Sequence, residues 1–184
     1  AVDFNQSLNS WDVSSVTNMA SMFRGASNFN QALNNWDVSN VTNMGFMFND
    51  ALVFDQDISA WDVSNVTSML SFLSGATLST SNYDALLRNW SQLSLQDNVT
   101  FHGGGSIYCA GPQRASIVNT HNWNITTDGD LGTCHTVTYS AGTHGSISGF
   151  ATQGVEDASN TVAVTVIPNS GYRFVSWSDG SSAN

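Results

Sequence analysis

Three aspartates recur at a constant spacing, and carboxylates at regular positions could bind a cation or a partner. Asp12, Asp37 and Asp62 are 25 residues apart, and each lies in the same Trp-Asp-Val-Ser context. Carboxylates placed side by side repel one another unless something compensates them. Three explanations stay open: a hard cation such as calcium, which prefers oxygen ligands; a binding partner; or hydrogen bonds from the serine that follows each aspartate.

The sequence does not indicate catalytic or nucleic-acid chemistry. His102, His121, His135 and His144 are scattered, without an HExxH motif, a nucleophile elbow or an acid/base pair. A formal net charge of -10, from four Lys+Arg and fourteen Asp+Glu, argues against binding to phosphate backbones. We therefore expect neither an enzyme nor a nucleic-acid-binding protein, and no cofactor, with calcium left open.

The aspartates belong to a repeat of 25 residues whose copies begin at Phe4, Phe29 and Phe54. One such repeat cannot bury its apolar face alone, so successive copies are expected to stack. Within a copy, apolar residues at strand-type spacing over 8–13 are followed by helical spacing over 19–26. The pattern predicts an α/β solenoid, a short right-handed array of 25-residue turns with a parallel strand ladder and short helices.

If the repeated Trp and Val side chains point inward, the polar residues between them point outward on the concave face. The tryptophans are then predicted to be core residues rather than a platform for sugar rings. The outward set is the predicted binding surface, and it comprises Ser10, Asp12, Ser14, Asn35, Asp37, Ser39, Asp62 and Ser64. The recurring Phe-Asn/Asp-Gln triplets are predicted to form amide ladders that satisfy turn backbone.

The run WDVSNVTNM, followed by a Met-Phe pair and FNQ, resembles the bacterial surface leucine-rich-repeat proteins of the BspA type over residues 4 to about 78. This resemblance implies a leucine-rich-repeat fold for residues 1–78, an extracellular location on a bacterial cell surface, and adhesion. The stretches YDALL and GxxxYC resemble the C-terminal caps of the same family.

Residues 79–134 are expected to form an α/β cap that seals the last repeat. The patterns predict a helix around Tyr83–Trp90, a strand at VTFH, a second helix from about Pro112 and a short strand at WNIT. Cys109 and Cys134 are the only cysteines. We expect a disulfide between them and an oxidising compartment; two free buried thiols are the alternative.

Residues 135–184 form a separate β-rich module by composition, with two strand-like runs pairing across the Pro-Asn-Ser-Gly stretch at 168–171. The run GYRFVSWSDG resembles the divergent internalin-type B-repeat, which implies a small β-grasp-like module of a bacterial surface protein. We expect this module to be incomplete at Asn184 and further repeats to precede Ala1.

The leading functional hypothesis is a surface module that presents the outward ladder to a protein or glycan partner. The alternative is a structural spacer or fibre-forming subunit that self-associates. No stretch approaches the length of about 18 apolar residues needed for a membrane span, so none is expected in this fragment.

Overall fold

The structure is a computed structural model, and it describes residues 2–156 and 161–178. The chain divides into two compact units, Ala1–Gly132 and Thr133–Asn184. The boundaries predicted from the sequence at 78 and 134 stay predictions, and each unit is considered below by itself.

The regular elements of the first unit all lie after the repeats. They are α1 (Thr80–Trp90), β1 (Thr100–His102), β2 (Ile107–Tyr108), α2 (Gly111–His121), β3 (Asn124–Thr126) and β4 (Gly129–Asp130). Strand β1 pairs in parallel with β3, and β2 pairs in parallel with β4. The two helices and the strands β1 and β3 occur where the sequence patterns placed them.

The prediction of an α/β solenoid is wrong. Among the described residues, both helices lie outside the repeats, and the strands form only two-stranded pairs. The repeats consist of turns with isolated parallel bridges, Asn18 to Asn43 and Asn43 to Ser68. Neither the strands predicted over 8–13 nor the helices predicted over 19–26 form, and without a continuous strand ladder there is no basis for a concave face.

The helical pattern misled because apolar spacing reports which side chains are buried and not which backbone conformation buries them. Met19 and Phe23 are indeed buried. Between them, Ser21 has a φ of 61°, in the left-handed region where a right-handed helix cannot continue. The segment is a series of turns, in which Met22 and Ala26 donate to the carbonyl oxygens three residues earlier.

Neighbouring repeats are joined by backbone hydrogen bonds that we call the amide ladder. Its donors in the first repeat are the N–H groups of Met19, Ser21, Phe23 and Gly25, which meet the carbonyl oxygens of Asn43, Gly45, Met47 and Asn49. The second repeat donates to the third in the same way. The segment predicted to be helical therefore carries the contacts between repeats.

Aromatic side chains fill the space between the repeats. The Phe29 ring lies between those of Phe4 and Phe54, with ring centroids 5.8 and 6.1 Å away. Trp36 and Trp61 are 3% and 1% exposed, which confirms that they are core residues. Each indole N–H also donates to a leucine carbonyl of the preceding repeat, at 2.9 and 3.0 Å.

Trp11, the equivalent tryptophan of the first repeat, is 55% exposed, so its prediction as a core residue is wrong. The indoles of the later repeats are covered by the repeat before them, and no described segment covers Trp11. Burial of this side chain depends on a neighbouring repeat, which the pattern within one copy does not reveal.

The part of the first unit after the repeats packs onto the third repeat. Helix α1 buries Tyr83, Leu86, Leu87 and Trp90. The N–H of Leu73 in the third repeat donates to the carbonyl of His102 in β1, so the amide ladder continues past the repeats.

The two cysteines of the chain, Cys109 and Cys134, are disulfide-bonded, as predicted.

The second unit contains β5 (His135–Thr138), β6 (Gly145–Ser148), β7 (Thr152–Val155) and β8 (Thr165–Pro168). Strand β5 pairs with β7 and β6 with β8, both antiparallel. The predicted pairing across 168–171 is wrong, because β8 takes β6 as its partner and the described residues after it form a turn and coil. A β-grasp-like sheet is not present in the described residues, and residues 179–184 lie outside them.

A substitution at Gly104 tests whether the segment after β1 must lie against the third repeat. The φ of Gly104 is +67°, and a Cβ there would overlap the carbonyl oxygens of Leu73 and Ala76. Gly104→Ala is expected to lower the free energy of unfolding by roughly 3 kcal/mol, from left-handed strain and overpacking together. Gly132→Ala is the matched control, since Gly132 has a φ of +77° with nothing within 4 Å. Urea unfolding should show the larger loss for Gly104→Ala; equal losses would contradict the close approach.

Candidate binding surface

The residues predicted to form the outward ladder lie at equivalent positions of consecutive repeats. The exposed members are Ser10, Asp12, Asn35, Asp37 and Asp62, and the half-buried members are Ser14, Ser39 and Ser64. The repeats thus bring these residues into one row, which we call the aspartate ladder, although the backbone beneath it is made of turns. Whether this row binds a partner stays a prediction.

Each aspartate is held by the serine two residues later. Oδ1 of Asp12 accepts from the N–H of Ser14 at 3.0 Å and from its hydroxyl at 2.7 Å. Asp37 accepts the same pair from Ser39, at 3.0 and 2.6 Å. Asp62 accepts from the N–H of Ser64 at 3.0 Å. The hypothesis of local hydrogen bonds is confirmed, and it leaves Oδ2 of each carboxylate available to a partner.

Hydrogen bonding lowers the pKa of two of these carboxyl groups. The Ser14 hydroxyl, followed by the Ser14 N–H, lowers the pKa of Asp12, with a smaller opposing effect of desolvation. The Ser39 hydroxyl and N–H lower the pKa of Asp37 in the same way, against desolvation and the charge of Asp12. The repulsion between neighbouring carboxylates is therefore present, and it is weaker than the local hydrogen bonds.

The serines are fixed by amide side chains of the following segment. Asn40 donates through Nδ2 to the carbonyl of Ser14, and Asn65 donates to that of Ser39, both at 2.8 Å. Gln96 supplies the equivalent bond to Ser64 from beyond the repeats, at 2.9 Å. Sequence reasoning missed these residues; the recurrence of Asn in the Ser-Asn-Val-Thr stretches was the available signal.

The Asn and Asp side chains of the Phe-Asn/Asp-Gln triplets form a separate series of hydrogen bonds from repeat to repeat, as predicted. The N–H of Asn30 donates to Oδ1 of Asn5, and the N–H of Asp55 donates to Oδ1 of Asn30, each at 3.0 Å. Asp55 in turn accepts from the N–H of Ser79 and from Nδ2 of Asn82, both at 2.8 Å. These side chains satisfy the backbone of the next repeat and so have a structural role.

Within residues 2–156 and 161–178, no group of three or more His, Cys, Asp or Glu side chains is placed to hold a metal ion. None of the helices in these ranges is long and apolar enough to cross a membrane.

The second unit contains a cleft that the sequence reasoning did not identify. It has a volume of about 880 Å³ and is lined by residues 137–145 and 173–178 together with Val166 and Pro168. The rings of Tyr139 and Phe174 both meet that of Trp177 edge-on, with centroids 5.4 and 5.3 Å apart. The aromatic residues of GYRFVSWS were the only sequence signal for this cleft.

Comparison with known protein families places the chain among bacterial surface proteins that carry a B-repeat module. Residues 1–100 match the family described as "Mycoplasma protein of unknown function, DUF285", and the chain belongs to this family. Residues 135–184 match the "Divergent InlB B-repeat domain", which confirms the resemblance seen in GYRFVSWSDG. No curated protein and no solved structure matches the chain. The BspA leucine-rich-repeat type is not confirmed.

Removing one hydroxyl tests the electrostatics of the ladder. Ser39→Ala is expected to raise the pKa of Asp37 through loss of the larger of its two lowering interactions, while Asp12 keeps its lowered pKa. Because the folded-state pKa is depressed, the stabilisation is present above the ordinary aspartate value near 3.9 and is lost as pH falls through the lowered value. Titration of the carboxyl carbons by NMR measures both groups, with Ser10→Ala as control. An unchanged Asp37 pKa would contradict the assigned cause.

Proposed function

We propose that this chain is a binding and adhesion module on the outside of a bacterial cell, and that the aspartate ladder presents carboxylates to a protein or glycan partner. The observation that carries the proposal is the row of exposed Asp12, Asp37 and Asp62, each fixed by a following serine. A location on the cell surface agrees with the surface-protein families that the chain matches.

Preorganisation is the physical reason why such a row suits binding. A carboxylate that is already held by its neighbours loses little conformational freedom when a partner engages it. Here Oδ1 of each aspartate is occupied by a serine of the same repeat, and the serine is anchored to the adjacent repeat or to Gln96. A partner that meets Oδ2 therefore finds acceptors at regular positions.

The negative charge of the chain restricts the class of partner that the aspartate ladder can bind. The chain carries a formal net charge of -10, and all four of its cationic side chains are arginines, without a single lysine. Acidic glycans and phosphate-rich surfaces would be repelled. The proposal therefore favours a basic protein segment, or a neutral glycan whose hydroxyl groups donate to the carboxylates.

The test compares two variants that remove the same number of charges. Asp12→Asn/Asp37→Asn/Asp62→Asn keeps an acceptor for each serine and changes the net charge from -10 to -7. Asp3→Asn/Asp97→Asn/Asp130→Asn makes the same change at exposed positions outside the ladder. The probes are arrays of neutral glycans and of Lys/Arg-rich peptides, read with the labelled chain at low and high salt.

The ladder variant is expected to lose at least about tenfold in affinity, roughly the effect of 1.4 kcal/mol, while the control variant keeps most of it. Binding to peptides should also weaken with salt, because exposed charges are screened. Equal losses in the two variants would show that only net charge matters. Absence of binding to every probe by the wild-type chain would count against the proposed function itself.

A second function, a spacer or fibre-forming subunit, is favoured by one observation. Apolar side chains are exposed in the first repeat and just before it: Val2 by 61%, Trp11 by 55% and Met22 by 41%. The equivalents of Trp11 and Met22 in the next repeat, Trp36 and Met47, are buried. Another repeat stacked on this face, from the same chain or from a second one, would bury these side chains, and a second chain is what this function requires.

This second function predicts that particle mass rises reversibly with protein concentration in light scattering coupled to size exclusion, with or without millimolar calcium. Trp11→Gln is expected to abolish the rise, and Leu52→Gln, at an apolar residue that is 63% exposed elsewhere, is expected to preserve it. A wild-type monomer at all concentrations would contradict the spacer. Growth only in the presence of calcium would instead indicate bridging through carboxylates.

A further inference from the structure

A histidine side chain replaces a backbone carbonyl in the amide ladder where the third repeat meets the rest of its unit. In the second repeat, the N–H of Phe46 donates to the carbonyl of Leu70 at 2.8 Å. Ser71 occupies the same position in the third repeat, and its N–H donates to Nδ1 of His102 at 2.8 Å. A titratable acceptor thus stands where the other repeats have a carbonyl that cannot titrate.

This hydrogen bond defines the protonation state of the ring. A backbone N–H can donate to Nδ1 only if that nitrogen carries a lone pair, so this hydrogen bond requires the ring form that has its proton on Nε2 alone. The carbonyl of the same residue accepts from the N–H of Leu73 at 3.3 Å. His102 therefore supplies two of the acceptors that join the third repeat to β1.

The backbone N–H of Ser71 cannot easily turn to another acceptor if Nδ1 of His102 is lost. Ser71 is half-buried and has a φ of 54°, a left-handed conformation that it shares with Ser21 and Phe46 at the same position of the other repeats. The backbone contacts on either side, the bridge of Met69 to Phe101 and the bond from Leu73 to His102, fix the segment that contains this N–H. A buried or half-buried N–H without an acceptor is unfavourable.

We propose that His102 makes the junction between the third repeat and the following segment an acid-sensitive joint, closed when the ring is neutral and loosened when it is protonated. Protonation of Nδ1 converts the acceptor into a donor, so two N–H groups then face each other. The amide ladder loses this rung, while the rungs between the repeats, which use carbonyl oxygens, are unaffected.

The charged surroundings do not compensate a protonated ring. The third-repeat segment 67–75 and strand β3, which flank His102, contain no acidic or basic residue. In the part of the chain that the structure describes, the ion pairs within 4.0 Å involve Asp84, Asp97 and Asp128, and none includes His102. Asp128, the nearest carboxylate along the chain after β3, is already paired with Arg114 and accepts from the Tyr83 hydroxyl.

The joint can be tested on the whole chain through one amide proton. Hydrogen exchange of the Ser71 N–H is measured by NMR at pH 7.5 and pH 5.5, and its protection is divided by that of Phe46, the equivalent amide with a carbonyl acceptor. A ring protonated on Nδ1 cannot accept from the Ser71 N–H, so the protection ratio is expected to fall by about tenfold, the effect of losing one hydrogen bond, between these conditions. The ¹⁵N shifts of the His102 ring give the tautomer directly.

Three variants separate the proposal from a general effect of acid. His102→Asn places a side-chain oxygen near the position of Nδ1, so it should keep Ser71 protected at both pH values. His102→Ala should leave Ser71 poorly protected at both. His121→Gln removes a half-buried histidine that contacts Asp97, away from the ladder, and should behave as wild type.

A wild-type protection ratio that does not change with pH would overturn the proposal, as would an acid-induced fall that persists in His102→Asn. A ring proton found on Nδ1 at pH 7.5 would overturn it as well. If His102→Ala does not fold, the comparison of wild type with His102→Asn still decides the question.

Discussion

The first unit depends on the direction of its amide ladder. The donors of the ladder in one repeat face the next repeat, and its acceptors face the previous one. The bonds from Thr42 to Thr17 and from Thr67 to Thr42, outside the ladder, run in the opposite direction. Two repeats can therefore meet in only one order, since reversing one would set carbonyl against carbonyl. The register is equally constrained, because the intervening N–H groups, such as those of Met22 and Ala26, already bond within their own turns. The period of 25 residues is thus fixed by hydrogen bonding as well as by packing of the rings between repeats.

Departures from the repeat identify the places where a residue meets a different neighbour. Asp55 replaces the Asn of the first two triplets, and it accepts from Ser79 and Asn82 at the start of α1, where a negative charge is favoured by the helix dipole. Gln96, with its longer side chain, makes from outside the repeats the bond that Asn40 and Asn65 make within them. In each case the substituted side chain preserves a hydrogen bond whose donor or acceptor has changed.

The sequence predicted side-chain positions better than backbone conformation. Apolar spacing correctly marked Met19, Phe23 and Trp36 as buried, and the patterns after residue 78 correctly located both helices. Left-handed backbone at Ser21 and Phe46 carries no propensity signal, since these are not residues that favour positive φ. The Asp-Ser contacts could be predicted because both partners are two residues apart. The Asn40 and Gln96 contacts could not, since their partners are 26 and 32 residues away and become neighbours only after the repeats assemble. The same limit explains the second unit, where strands were recognisable but their partners were not.

The carboxylates of the aspartate ladder accept hydrogen bonds from serines, but no arginine of the first unit pairs with them. The arginines of the first unit are engaged elsewhere: Arg24 donates to Asn49, Arg88 pairs with Asp84, and Arg114 pairs with Asp128. Serine donors stabilise the ionised forms of Asp12 and Asp37, and they cannot cancel the negative charge. Exposure to water makes three such charges tolerable, because solvent and salt screen their mutual repulsion. The row therefore remains a fixed negative potential on a chain that is already acidic, and a cationic partner that binds there would gain attraction without having to displace an existing ion pair.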